Sequence, residues 1–429
     1  MLAVSQVLQN RYRIVRQLGH GGMGAVYEAI DERFGTPVAL KEILIELTNS
    51  ADEKQKGLMM KAFEREAKSL ANARHEAVPY VRDYFSELDR QFLVMEMVEG
   101  DELADLLRER KSPFPLEDAL KWMDQLLDAL DYLHTLKPPI FHRDIKPQNL
   151  KLNPRQKIKL LDFGIAKSAD ASSVTNHTFV GATLDYSPIE QILRVINPTF
   201  REFIILKHRE KAEKILNQST DARCDIYSLG ATFYHLLTNH LPVDVVKRTV
   251  EVWSGEADPL INPSQLNPKI PQPIADCLLK AMEVERDDRF SSALEMREAF
   301  KTAIAEDKKT NEAEERRNRE KENILAAARL EYLRLEQEER KRQEQLHFEE
   351  QVEIIKQSIA FCSDKEILEL ANLQLPGDKR LNYLFEKNRE SVLTAEEEAE
   401  LTKAVELSRI NDLRKAFGII EAKKRGLIK

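Results

Sequence analysis

Cysteine is scarce in this chain of 429 residues. Cys224, Cys277 and Cys362 are widely spaced and odd in number, which argues against a disulfide framework and points to a reducing compartment. None of them stands with histidines at metal-ligand spacing. No window reaches 18 apolar residues free of charge, so no membrane span is expected. The opening MLAVSQVLQNRYRIV has no basic stretch before an apolar run and does not read as a signal peptide. A strong excess of one charge is also missing. The net charge of -8 is mild for this length and gives no support for wholesale nucleic-acid binding. The expected setting is the cytoplasm, with any membrane association made through a partner.

Glycine and proline vanish from Lys301 to Glu350, where 14 acidic and 12 basic residues nearly balance. Such a stretch reads as a solvated helix supported by i,i+4 pairs. Before about residue 300, glycine, proline, aromatics and short apolar runs alternate as in a packed mixed fold. The chain is too long for one ordinary core, so two or three domains are expected. The first hundred residues read as strands around Tyr12–Val15, Ala25–Ala29, Val38–Glu42, Tyr80–Phe85 and Phe92–Met97, with a helical pattern from Lys61 to Ala73. From Asp101 the period becomes helical, and Tyr227–Thr238 is apolar enough for a central buried helix.

Gly19-His20-Gly21-Gly22-Met23-Gly24-Ala25-Val26 fits G-x-G-x-x-G-x-V. A dinucleotide fold uses a similar run between a strand and a helix. Here strand-like residues follow, so a strand-loop-strand flap over phosphates is the better reading. Lys41 lies in the apolar VALK, and a buried ammonium needs an anionic partner. Glu66 on the following helix is the first choice, beside the packed stripe Phe63, Ala67 and Leu70, with Glu64 as the fallback.

FHRDIKPQNL, residues 141 to 150, is the densest cluster of chemistry, and Asp162-Phe163-Gly164 follows thirteen residues after Asn149. Phosphoryl transfer needs a carboxylate to orient a hydroxyl, cations over the phosphate, and ligands for Mg²⁺. Asp144 can accept the hydroxyl proton, and Lys146 can reach the γ-phosphate. Asn149 and Asp162 offer oxygen ligands suited to a hard cation. His142 is expected to pack within the core and Phe163 to fix where Asp162 points.

With these motifs in order, the chain resembles a eukaryotic-type protein kinase, of the bacterial serine/threonine group, over about residues 10 to 302. The resemblance implies an α+β, bilobal protein-kinase fold followed by an all-helical tail. It implies a β-rich lobe over 10–97, a helical lobe over 101–302 and a kinase domain over 1–302. Mg-ATP (or Mn²⁺ in place of Mg²⁺) is the implied donor and a protein serine or threonine hydroxyl the acceptor, with self-phosphorylation in the activation loop. By the same resemblance, Met95 is the gatekeeper, Glu96 and Val98 are the adenine-binding hinge, and Val26, Ala39 and Leu152 wall the purine slot under Leu18. The contrasting reading is a pseudokinase scaffold that binds nucleotide and partners without transfer. Lys41, Asp144, Asn149 and Asp162 are all retained, which weighs against it.

The segment from Asp162 to Glu190 carries Thr175 and Thr178 as the expected phosphosites, and the resemblance pairs Arg143 with such a phosphate. It also matches Thr183 to a threonine bridging Asp144 and Lys146, and Asp225 to an aspartate holding the catalytic-loop backbone. Two departures stand out. The family's A/S-P-E triplet is here Pro188-Ile189-Glu190, with Arg289 available to pair with Glu190. An insert at about 191–220 contains FREFIILKHREKAEKIL, patterned as one amphipathic helix that could dock a substrate, a partner or the tail. Residues 303–360 read as a charged long helix or weak coiled coil, open to self-association. Residues 361–429 read as a small helical module: Thr394 and Glu397 form a capping box, a helix runs through Leu401, Ala404 and Leu407, and a last helix carries Leu413, Ala416 and Ile420.

Overall fold

Alternating apolar and polar residues set strands within the first hundred residues into an antiparallel sheet. The computed structural model describes residues 2–21, 24–43, 64–65, 67–87, 90–163, 184–373, 383–384, 386–387 and 393–429. Strands β1 (Val7–Leu8), β2 (Tyr12–Gly21), β3 (Gly24–Asp31), β4 (Thr36–Ile43), β5 (Val81–Glu87) and β6 (Arg90–Glu96) pair in the order β1-β2-β3-β4-β6-β5. Gly19 opposes Val26, Val26 opposes Lys41, Lys41 opposes Leu93, and Ala39 opposes Met95. The period of two therefore puts Val26, Ala39, Lys41, Leu93 and Met95 on one face. Tyr27, Leu40, Phe92 and Val94 turn to the other face and close a core with Leu8, Tyr12 and Ile14.

A smaller sheet, β7 (Asp101–Glu102), β8 (Leu150–Leu152) and β9 (Ile158–Leu160), joins the sheet lobe to the helical lobe. Gly100 makes this join possible. Its φ is +112°, and a Cβ there would lie 2.0 Å from the Leu152 carbonyl oxygen. Only glycine allows so close a backbone approach.

The helical lobe is built around α1 (Leu103–Arg110), α2 (Leu116–Thr135), α3 (Ile189–Val195), α4 (Pro198–Lys207), α5 (Arg209–Asn217), α6 (Ala222–Thr238), α7 (Val245–Trp253), α8 (Pro263–Leu266) and α9 (Gln272–Ala281). Helix α6 is buried along nearly its whole length, as its apolar run predicts. One core packs α2, α6, α9 and the first turns of α10 (Ala293–Ala360) together with Leu70, Leu93 and Phe163. A second core joins α3, α5, α6 and α7 through Ile192, Ile215, Tyr227, Val246 and Trp253. The insert differs from its sequence pattern. The single amphipathic helix is two helices, broken at His208, where φ is −135° and ψ is 47°. Each half buries its own apolar residues, Ile204 in α4 and Ala212 with Ile215 in α5. Asn197 caps α4 by accepting from Thr199 N, with Pro198 at the first helical position.

Residues Met1–Glu312 form one compact unit and Ala313–Lys429 another. The helix that begins at Ala293 continues without interruption to Ala360. In the second unit, α11 (Asp364–Ala371) and α12 (Ala395–Lys424) pack through Ile367, Ala371 and Ala422. Gly418 permits their approach, since a Cβ would meet the Leu370 Cβ at 2.9 Å. Both helices start with capping boxes, Ser363 with Glu366 and Thr394 with Glu397. The two last helices read from the sequence are one, because no glycine or proline interrupts the period between Leu407 and Leu413. Arg425 donates to the carbonyls of Ala360 and Cys362 at 3.0 and 2.9 Å, satisfying the end of α10. No helix among the described residues is long and apolar enough to cross a membrane.

Candidate active site

The strand register carries Gly19, Val26 and Lys41 across three neighbouring strands of one face. Gly21 opposes Gly24, so the glycine run lies between two antiparallel strands rather than between a strand and a helix. Gly24 has φ +132°, a value that suits glycine. Ala39 and Val98 are buried, Val26, Met95 and Leu152 are half-buried, and Leu18 stays exposed at the edge. Glu96 makes an ion pair with Lys159 at 3.0 Å.

Lys41 Nζ lies 3.1 Å from Asp162 Oδ1, bridging the sheet to the segment after β9. Lys41 is largely shielded while Asp162 is more open. Asp162 has φ +57°, which is uncommon for a side-chain-bearing residue and persists only where the surroundings fix it. Those surroundings are specific. Leu160 N donates to Ala77 O at 2.8 Å, and Leu161 N donates to Asn149 O at 2.7 Å. His142 Nε2 donates to Leu161 O at 2.8 Å, and the Phe163 ring packs tilted against His142 at 4.6 Å between centroids. Burial pushes the His142 imidazole down, which keeps it neutral and able to donate at Nε2 while Nδ1 accepts from Asp144 N at 3.3 Å.

Asp144, Lys146 and Asn149 converge across one short loop. Lys146 Nζ is 3.0 Å from Asp144 Oδ2. Asn149 Nδ2 donates to Asp144 O at 2.7 Å and to Asp144 Oδ2 at 2.9 Å. The amide nitrogen is thus used within the loop, leaving Asn149 Oδ1 as the oxygen for a cation. Among the described residues, no cluster of three or more acidic, histidine or cysteine side chains could enclose a metal ion. The Asn149 and Asp162 oxygens suit Mg²⁺, which is usually held by one or two protein oxygens together with nucleotide phosphates.

The loop is held from below by Asp225, which is fully buried. Its Oδ2 accepts from His142 N at 2.8 Å and its Oδ1 from Arg143 N at 2.7 Å. Arg143 has φ +63°, another left-handed conformation fixed by its surroundings. Burial alone would raise the Asp225 carboxyl. The His134 hydrogen bond at 2.9 Å and the loop backbone donor at Arg143 outweigh it and hold the group below its ordinary value. Glu190 receives both guanidinium arms of Arg289 at 2.7 and 3.1 Å, and the Cys224 thiol donates to the same carboxylate at 3.2 Å.

Glu66, Thr175, Thr178 and Thr183 lie outside the described residues, as do 164–183 as a whole. Sequence reasoning missed three supporting groups. His134 sits in the last turn of α2 and reaches Asp225 across 91 positions, with no local signal to announce it. Tyr186 Oη meets His235 Nδ1 at 2.7 Å, tying the segment before α3 to α6. Glu102 in β7 is half-buried at the join of the two lobes, where burial and then the charges of Asp105 and Asp162 push its carboxyl up. The turn from hinge to helix at Gly100-Asp101-Glu102 was the available clue.

Residues 12–303 match the family described as protein kinase domain. A probable serine/threonine-protein kinase of Clostridium perfringens is 30% identical over 294 residues, covering 68% of this chain and 38% of that protein. One of Streptomyces coelicolor is 32% identical over 296 residues, covering 68% and 39%. The serine/threonine-protein kinase PrkC of Bacillus subtilis is 28% identical over 310 residues, covering 72% and 42%. The chain spans less than half the length of these curated relatives. Among solved structures, the apo form of PpkA-294 aligns with a TM-score of 0.54 at 22% identity, covering 70% of this chain and 99% of that chain. The PknI kinase domain of Mycobacterium tuberculosis aligns at 0.51 and 23%, covering 71% and 100%.

Proposed function

The chain belongs to the protein kinase domain family, and on that premise we propose that it transfers the γ-phosphate of Mg-ATP to serine or threonine hydroxyls of proteins. The observation that carries this reading is the convergence of Asp144, Lys146 and Asn149 in one loop, with the Lys41–Asp162 pair supporting the phosphate side. Asp144 takes the role of orienting the hydroxyl and receiving its proton. Lys146 offsets negative charge on the transferred group, and Lys41 holds the other phosphates. Asn149 Oδ1 and the Asp162 carboxylate are the assigned oxygens for Mg²⁺, which when bound would neutralise phosphate charge. The slot formed by Val26, Ala39, Met95, Val98 and Leu152 under Leu18 takes the purine, with the backbone of Glu96 and Val98 as its hydrogen-bonding edge.

Glu66 is assigned as a further partner of Lys41, and Thr183 as the bridge between Asp144 and Lys146. Thr175 and Thr178 are the assigned self-phosphorylation sites, read by Arg143. The Glu190–Arg289 pair supports the base of the substrate shelf. Residues 1–302 are assigned as the kinase domain and 303–429 as a region for self-association or partner binding in a cytoplasmic protein. Incubation with Mg-ATP followed by phosphoamino-acid analysis tests the reading. It requires phosphoserine or phosphothreonine. Nucleotide binding without any transfer would replace it with a scaffold.

A further inference from the structure

The strand before Asp162, whose φ is +57°, is anchored on more than one side, and one anchor leads away from the active site. Leu160 N donates to Ala77 O at 2.8 Å. Ala77 N in turn donates to His75 Nδ1 at 3.1 Å. His75 Nε2 lies 3.1 Å from Asp128 Oδ2 on α2 and is the donor when Nδ1 accepts. Asp128 Oδ1 accepts from Arg297 Nη1, in the second turn of α10. Arg297 is itself oriented by Asp124, whose two carboxylate oxygens accept from Nε and Nη2 at 2.6 and 2.9 Å. The Tyr132 ring stacks on His75 at 5.7 Å and limits its rotation. A continuous chain of hydrogen bonds thus runs from the root of α10 to the residue two places before Asp162.

We propose that His75, Asp128 and Arg297 are positioning residues for Asp162, transmitting the placement of the first turns of α10 to β9. The chemistry favours a directed chain over a casual surface contact. His75 uses both ring nitrogens, one toward the backbone that holds β9 and one toward Asp128. Asp128 shares its two oxygens between His75 and Arg297, so each link orients the next. The His75 bond, with burial opposing it and Arg297 assisting, holds the Asp128 carboxyl below its ordinary value, so the carboxylate remains charged to serve both donors. The inference rests on the kinase reading for its effect on turnover, though not for the anchoring itself.

Hydrogen–deuterium exchange on the full chain, read in peptides covering 74–79 and 157–163, separates the two. Asp128→Ala and Arg297→Met should each speed exchange in both peptides by about two- to thirty-fold, the range typical of residues along a coupled network. The double variant should lose little more than the larger single one, as members of one chain are non-additive. Asp124→Asn provides a second, milder variant. It weakens the side support of Arg297 without cutting the chain, so its effect on 157–163 should be smaller than that of Asp128→Ala. ATP turnover should fall in kcat in the same order as the exchange changes, with KM for Mg-ATP less affected. Loosening confined to α2 and α10, with 157–163 fully protected, would overturn the proposal, and so would strictly additive effects. A wild-type chain that transfers no phosphate would overturn the kinase reading and leave the exchange result to decide this one.

Discussion

Arg289 holds Glu190 with both arms of its guanidinium, at 2.7 and 3.1 Å, and both side chains are shut away from solvent. The two residues are 99 positions apart. Arg289 also donates to the carbonyls of Glu283, Val284 and Arg223, and its charge lies 4.8 Å from the Tyr227 ring centroid. This knot fixes the start of α3 even though the residues before Glu190 depart from the family triplet. Breaking one partner of a buried pair strands the other charge. Arg289→Met should therefore destabilise the kinase unit by about 3–5 kcal/mol. Denaturant midpoints measure this, and Cys224→Ala should cost less, since it removes one donor of several.

Acid should dissolve the same foundations. Asp225 and Glu190 are both held below their ordinary values, Asp225 by His134 and the loop backbone and Glu190 by Arg289, against the opposing effect of burial. A carboxyl depressed on folding contributes stability that is fully present above its unfolded value and is lost as pH falls through its folded value. The loss should begin below the ordinary values of 4.5 for Glu190 and 3.8 for Asp225. Unfolding midpoints recorded between neutral and strongly acidic pH should fall less steeply for Asp225→Asn than for the wild type, from a lower starting stability.

Gly100→Ala tests the join between the lobes. The added methyl would lie 2.0 Å from Leu152 O on a backbone with φ +112°, so β7 and β8 must move apart. The expected loss is about 1–3 kcal/mol. Because Leu152 is an assigned wall of the purine slot, ATP affinity should weaken in parallel. Calorimetric titration with the nucleotide checks this.

Lys41→Met removes a cation that touches Asp162 while keeping an apolar stem on the shielded side of the sheet. The fold should survive, and turnover should fall by about 10²–10³-fold, the cost typical of losing one preorganised charge-stabilising group. Circular dichroism beside steady-state ATP turnover gives both readings.

What the sequence disclosed follows from how far apart the interacting residues stand. Asp144, Lys146 and Asn149 are so close along the chain that their spacing nearly dictates their meeting, and the structure brings them within hydrogen-bonding distance. Val26 and Ala39, named through the family resemblance, share the face of Lys41 because the strand register puts them there. His134 and Asp225 had no such guide, since a histidine inside an amphipathic helix carries no mark of a partner 91 residues away. The break at His208 was hidden because a helical period runs straight through FREFIILKHREKAEKIL, and packing of each half decided the break. The expected border near residue 302 does not interrupt α10, for the same reason that made the region legible as a helix. No proline or glycine stands there to stop it.

The role of Asp144 is tested most directly by phosphate incorporation from γ-labelled Mg-ATP by the full chain and by Asp144→Asn. Asparagine keeps the shape of the loop but cannot accept the hydroxyl proton. Incorporation into serine or threonine should fall by about 10²–10⁴-fold in the variant, with ATP affinity nearly unchanged. Equal incorporation by both chains would contradict that role.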